Sequence, residues 1–171
     1  FHGDVNPSNI LVSRRRLQRS ADTHTLRGAG VEETESRSGC NGGDVLVVDW
    51  ACSRHAPSNH TKVTNAKRGH FQGAELMKGV VGNASDVYGA AASLLWMLSS
   101  KNPQSQAFKE HGVTTTALTS VINATHPGVD VAGLCSALLC ALHEDHTARS
   151  QSVDVLLQSV QEWVRARKPG G

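Results

Sequence analysis

The stretch Ala84–Ser99 constrains this chain more than any other part of its sequence. Val87, Tyr88, Ala91, Leu94, Leu95 and Leu98 recur at the spacing of one helix face, and Ala90, Trp96 and Met97 fill much of the remaining surface. A helix that is apolar on nearly every side has to be surrounded, so the pattern predicts a central buried helix, ended by Asn102-Pro103. The chain supplies elements to surround it. Val131, Leu134, Cys135, Leu138 and Leu142 mark one face of a helix over about 129–142, and Val153, Leu156, Leu157, Val160 and Trp163 mark another over about 152–167. A further helix over 114–124 has a Thr-rich start that works against it. Two short β-branched runs, Asn9–Val12 and Asp44–Asp49, read as strands. The expected class is mainly α with a small β-hairpin.

Ser13–Gly43, between the two strands, holds Arg, Ser, Thr, Glu and Gly with almost nothing to bury, so a disordered insert over 14–43 is expected. Arg14-Arg15-Arg16 reads most simply as a solvated run, with a basic docking patch or a phosphorylation site at Ser20 as alternatives.

At 171 residues, 39% of them hydrophobic and 19% charged, the chain can bury one sizeable core as a globular protein. A formal charge of +2 gives no reason to expect a nucleic-acid partner. No apolar run approaches the roughly 18 residues of a membrane span, and the charged opening is unlike a signal peptide. The chain opens on Phe1 rather than methionine, which leads us to expect a piece of something longer. Cys40, Cys52, Cys135 and Cys140 show no Cys-x-x-Cys spacing, so reduced, mostly buried thiols in an intracellular, cytoplasmic setting are expected. His143 and His146 stand three apart without a third and fourth ligand at zinc spacing.

Chemistry concentrates at the start, in Phe1-His2-Gly3-Asp4-Val5-Asn6-Pro7-Ser8-Asn9-Ile10-Leu11-Val12. Asp4 can orient an attacking hydroxyl and accept its proton. The carboxamide oxygen of Asn9 is a hard ligand for Mg²⁺, and Asp49, at the end of the next apolar strand, offers a second. Such a metal would bridge nucleotide phosphates and neutralise charge during transfer.

His2, Asp4, Pro7 and Asn9 resemble the protein-kinase catalytic loop, His-Arg-Asp-Leu-Lys-Pro-x-Asn, with Asp49-Trp50-Ala51 standing where Asp-Phe-Gly would be. Downstream, Gly73-Ala74-Glu75 is similar to Ala-Pro-Glu, Ser85-Asp86-Val87-Tyr88-Gly89 to the start of the family's long central helix, and Asp145-His146-Thr147-Ala148-Arg149-Ser150 to Asp-Pro-x-x-Arg-Pro. The landmarks fall in the family's order over nearly the whole chain. The resemblance implies a kinase-like C-terminal lobe over 1–171. It also implies that Asp86 accepts hydrogen bonds from the catalytic-loop backbone, and that Arg149 forms a buried ion pair with Glu75. Asp4 and Asn6 become the catalytic residues, Asn9 and Asp49 the metal ligands, Asn9, Leu11 and Asp49 the nucleotide contacts, and ATP with Mg²⁺ the cofactors.

The pattern also breaks. Gly3 stands where many kinases carry an Arg for an activation-segment phosphate, which argues against that control. Asn6 stands in place of a phosphate-steadying Lys, implying a slower enzyme. Ala51 in place of Gly restricts the backbone. No Gly-rich loop and no Val-Ala-x-Lys strand occurs, Gly28-Ala29-Gly30 reading as linker, so the N-terminal lobe is absent and this stretch alone is expected to be inert. Three functions stay open: an active kinase of Ser/Thr type acting on a protein substrate, a pseudokinase serving as a binding or scaffolding module, and a small-molecule phosphotransferase. His2-Gly3-Asp4 and Val48-Asp49-Trp50 are similar to the His-Gly-Asp and Ile-Asp-Trp of aminoglycoside and choline kinases, whereas Glu75, Asp86 and Arg149 favour the protein-kinase branch.

Overall fold

The computed structural model describes residues 1–12, 45–49 and 69–167. The insert expected over 14–43, Trp50, Ala51, Cys40 and Cys52 lie outside them. The chain divides into two units, one of residues 8–48 and one of residues 1–7 with 49–171.

In the smaller unit, β1 (Ile10–Val12) pairs antiparallel with β2 (Val45–Val47), with Ile10 opposite Val47 and Leu11 opposite Leu46. A backbone bond from Val48 N to Asn9 O, at 2.8 Å, extends the ladder past the last pair. Leu11 and Leu46, cross-strand neighbours, are both about half exposed or more.

The larger unit is helical. Among the described residues it contains α1 (Asn83–Ser99), α2 (Thr115–Asn123), α3 (Ala132–Ala141) and α4 (Asp154–Ala166). Helix α1 packs on α2 and α3, and α3 packs on α4. Tyr88, Ala91, Ala92 and Leu95 of α1 are wholly buried against Leu118 and Ile122 of α2 and Cys135 and Leu138 of α3. The serines inside this dry helix are satisfied locally: Ser93 Oγ donates to Gly89 O and Ser99 Oγ to Leu95 O, each at 2.7 Å. None of the helices in the described residues is long and apolar enough to cross a membrane.

Two expectations of burial need correction. Helix α1 is not enclosed all round, because Trp96 and Met97 face outward at 43% and 60% exposure. It ends at Ser99 as expected, and the stop is made before Asn102-Pro103 by Ser100, which turns into the left-handed region at φ 56° while its N–H closes on Trp96 O. On α4 the buried stripe is narrower than its apolar residues suggest: Leu156 and Trp163 are buried, while Val153 and Leu157 are exposed. The Thr-rich start of α2 proves helpful, since Thr114 caps it by accepting from Ala117 N at 3.2 Å. Of the described thiols, Cys135 is buried, and burial pushes its pKa up, whereas Cys140 is exposed.

The outward face of α1 gives a direct test of this packing. Leu95→Ala should cost about 2–5 kcal/mol and Met97→Ala less than about 0.5 kcal/mol in urea unfolding, although both remove a similar side chain from the same helix. Equal losses would contradict the placement of the helix.

Candidate active site

Residues 1–6 form no helix or strand, so something outside them must fix their shape. Asp86, in the first turn of α1, does so: its Oδ2 accepts from His2 N and its Oδ1 from Gly3 N, each at 2.7 Å. Both oxygens of one carboxylate are thereby spent on consecutive backbone donors, a charge-assisted pair of bonds. Gly3 sits at φ 78°, a left-handed conformation that glycine adopts without strain, which gives a backbone reason for its presence beside Asp4. One helical turn after Asp86, Gly89 meets the segment again. A Cβ there would collide with Val5 O, so the absence of a side chain lets the backbone of 1–7 lie directly on α1.

Within the segment, His2 is buried and its Nδ1 accepts from Asp4 N at 3.2 Å, so the ring holds the turn that presents Asp4. Asn6 Nδ2 donates to Asp4 O at 3.1 Å. The Asp4 carboxylate is held from elsewhere: Gln72 Nε2 donates to its Oδ1 at 3.0 Å.

A second polar centre lies where the 3₁₀ turn Ala74–Lys78 meets the link between α3 and α4. Arg149 Nη1 and Nη2 bind Glu75 Oε1 and Oε2 at 2.5 and 3.2 Å. Nη1 also donates to Ala84 O at 2.8 Å and Nε to His143 O at 2.9 Å, and the guanidinium carbon lies 4.8 Å from the centre of the Tyr88 ring. Glu75 and Arg149 are 3% and 2% exposed, so this is a desolvated pair with its donors satisfied. Asp145 shapes the approach, accepting from both the N–H and the hydroxyl of Thr147 at 2.9 and 2.8 Å. Those two bonds, the hydroxyl first, hold the Asp145 carboxyl below its usual range. A Cβ at Gly73 would run into the Glu75 carboxylate.

The contacts expected for Asp86 and for Glu75 with Arg149 are therefore formed. Asp4 and Asn6 adjoin one another in the helical unit. Asp49 belongs to that unit as well, exposed and at φ 63°, a rare conformation for a residue with a side chain. Asn9, buried, and Leu11, exposed, belong to the two-stranded unit. Asn9 and Asp49 are both hard oxygen donors, the type that Mg²⁺ takes. Among the described residues, no group of three or more His, Cys, Asp and Glu could hold a metal. Gln72 was not legible as a site residue, since a lone amide carries no distinctive spacing, and Tyr88 and Gly89, though part of the Ser85–Gly89 match, had no contact assigned to them. No family model matches the chain, and no curated protein matches it either.

Burial would raise the pKa of Glu75, but the hydrogen bond from Arg149, bonds from the backbone and the positive charge of Arg149 together hold it below the ordinary value. Its stabilising contribution is then complete above the unfolded value of about 4.3 and is lost as pH falls through the lower folded value. Glu75→Gln and Arg149→Met should each cost about 3–5 kcal/mol at neutral pH, and together less than the sum. Urea midpoints measured from pH 7 to 3 should fall less steeply for Glu75→Gln than for the wild type.

Proposed function

We propose that this chain is the C-terminal lobe of a divergent protein kinase, whose full-length form transfers the γ-phosphate of ATP to a protein hydroxyl, of Ser/Thr type. The observation that supports this most is the grip of Asp86 on the backbone of His2 and Gly3, because it ties the proposed base to the central helix in the way the family resemblance implies. The pairing of Glu75 with Arg149 adds to it. In the proposed step the acceptor hydroxyl oxygen attacks the γ-phosphorus and its proton passes to the Asp4 carboxylate. The new P–O bond forms as the bond to the bridging oxygen breaks and ADP leaves. The family resemblance gives Asn9 and Asp49 each the role of an Mg²⁺ ligand, and the ion would neutralise charge on the phosphates. Leu11 would offer apolar surface to the nucleotide. Transfer would require the N-terminal lobe, since these 171 residues contain neither a Gly-rich loop nor a Val-Ala-x-Lys strand.

A second reading, a binding or scaffolding module without chemistry, draws on Asn6. Its side chain is tied into the loop by its bond to Asp4 O, at the position where a Lys would otherwise reach the phosphate.

Assay of the full-length protein separates the two. Asp4→Asn should lower transfer by about 10²–10⁴-fold while leaving MgATP binding intact, and Asp49→Asn should weaken Mg²⁺-dependent nucleotide binding. Undiminished turnover in Asp4→Asn would remove the assigned base. A wild type that transfers nothing would leave the scaffold, and transfer to aminoglycoside or choline but not to protein would point to a small-molecule kinase.

A further inference from the structure

We infer that Gln72 is the positioning residue for the Asp4 carboxylate, an inference that rests on the kinase reading above. Gln72 lies outside every motif in the sequence and 68 residues from Asp4. Its amide is oriented by a contact at the other end: Oε1 accepts from Gly69 N at 3.0 Å, which turns the Nε2 end toward Asp4, where it donates to Oδ1 at 3.0 Å. A reversed amide would set two donors against each other at Gly69 and two acceptors against each other at Asp4.

The base of that amide is itself held. Gln72 N donates to Gly69 O at 3.1 Å, and the same carbonyl accepts from Gln104 Nε2 at 2.9 Å. Three residues further on, Glu75 is locked by Arg149. Gln72 therefore extends from a segment fixed at both ends.

The held atom is the one that matters for the proposed chemistry. Asn6 bonds the main-chain carbonyl of Asp4, whereas Gln72 bonds its carboxylate, so backbone and side chain are positioned by different residues. The amide donor restrains the carboxylate through Oδ1 and adds no charge of its own. A general base must stand within hydrogen-bond reach of the hydroxyl, and a displacement of about 1 Å can cost about 10²-fold in rate.

Gln72→Glu is a discriminating variant. It keeps an acceptor for Gly69 N but puts an oxygen where Asp4 had its donor. Gln72→Met keeps the length and removes both bonds. In the full-length protein, with MgATP and dephosphorylated casein as acceptor, each variant should lower kcat about tenfold or more, with the KM for MgATP within about twofold of wild type. Gln72→Glu also sets a second carboxylate against Asp4, so the acid limb of its kcat profile should move to higher pH while that of Gln72→Met does not, a shift that a merely structural role would not produce. Wild-type kcat in both variants overturns the positioning role and leaves the kinase reading standing if Asp4→Asn is still inactive. If the wild type phosphorylates nothing, the kinase reading fails and the role of Gln72 fails with it.

Discussion

Arg149 and Glu75 form the contact on which the arrangement of the helical unit depends. A guanidinium and a carboxylate that have both left water are tolerated only if nearly every donor and acceptor finds a partner. Here Arg149 reaches the 3₁₀ turn through Glu75, the first turn of α1 through Ala84 O, and the link between α3 and α4 through His143 O. Two stretches far apart in sequence, 75–84 and 143–149, must converge, with three segments correctly set, for one side chain to be satisfied. Such a pair adds little net stability over a hydrophobic substitute, but it penalises any packing in which one of the three segments is misplaced. Hydrophobic burial assembles the helices, and the ion pair selects how the turn before α1 and the link after α3 are set upon them.

The consequence reaches Asp4 by two routes. One runs through Asp86, two residues beyond the Ala84 carbonyl that Arg149 holds, to the N–H groups of His2 and Gly3. The other runs back from Glu75 to Gln72 and so to the Asp4 carboxylate. Both begin at the same buried pair, so the backbone and the side chain of Asp4 are referred to one anchor. One hold acts on the backbone beside Asp4 and the other on its carboxylate, so together they restrain more of the residue than either does alone.

The sequence made the helices legible because their apolar residues repeat at helical spacing, most clearly in α3, where all five expected core residues are buried. It overstated burial on α1 and α4, since hydrophobicity alone does not say which side of Trp96 or Leu157 meets a neighbour. The long-range polar contacts of Asp86, Glu75 and Arg149 were legible only through the family resemblance, as periodicity carries no information about partners 65 or more residues away. Gln72 escaped both routes: it has no motif, and its importance lies in an amide orientation that only coordinates display.

The glycines of the site have local reasons in the fold. Gly3, in place of an arginine, occupies a left-handed conformation, and Gly73, in place of an alanine, leaves room that the Glu75 carboxylate fills. At these two positions a local backbone or steric reason accounts for the small residue. Loss of constraint would leave such positions free to take side chains, and at Gly73 and Gly89 a single Cβ already collides. Gly3 and Gly89 thus add backbone room to the polar holds that Asp86 and Gln72 place on the segment, and neither kind of contact would fix its path without the other.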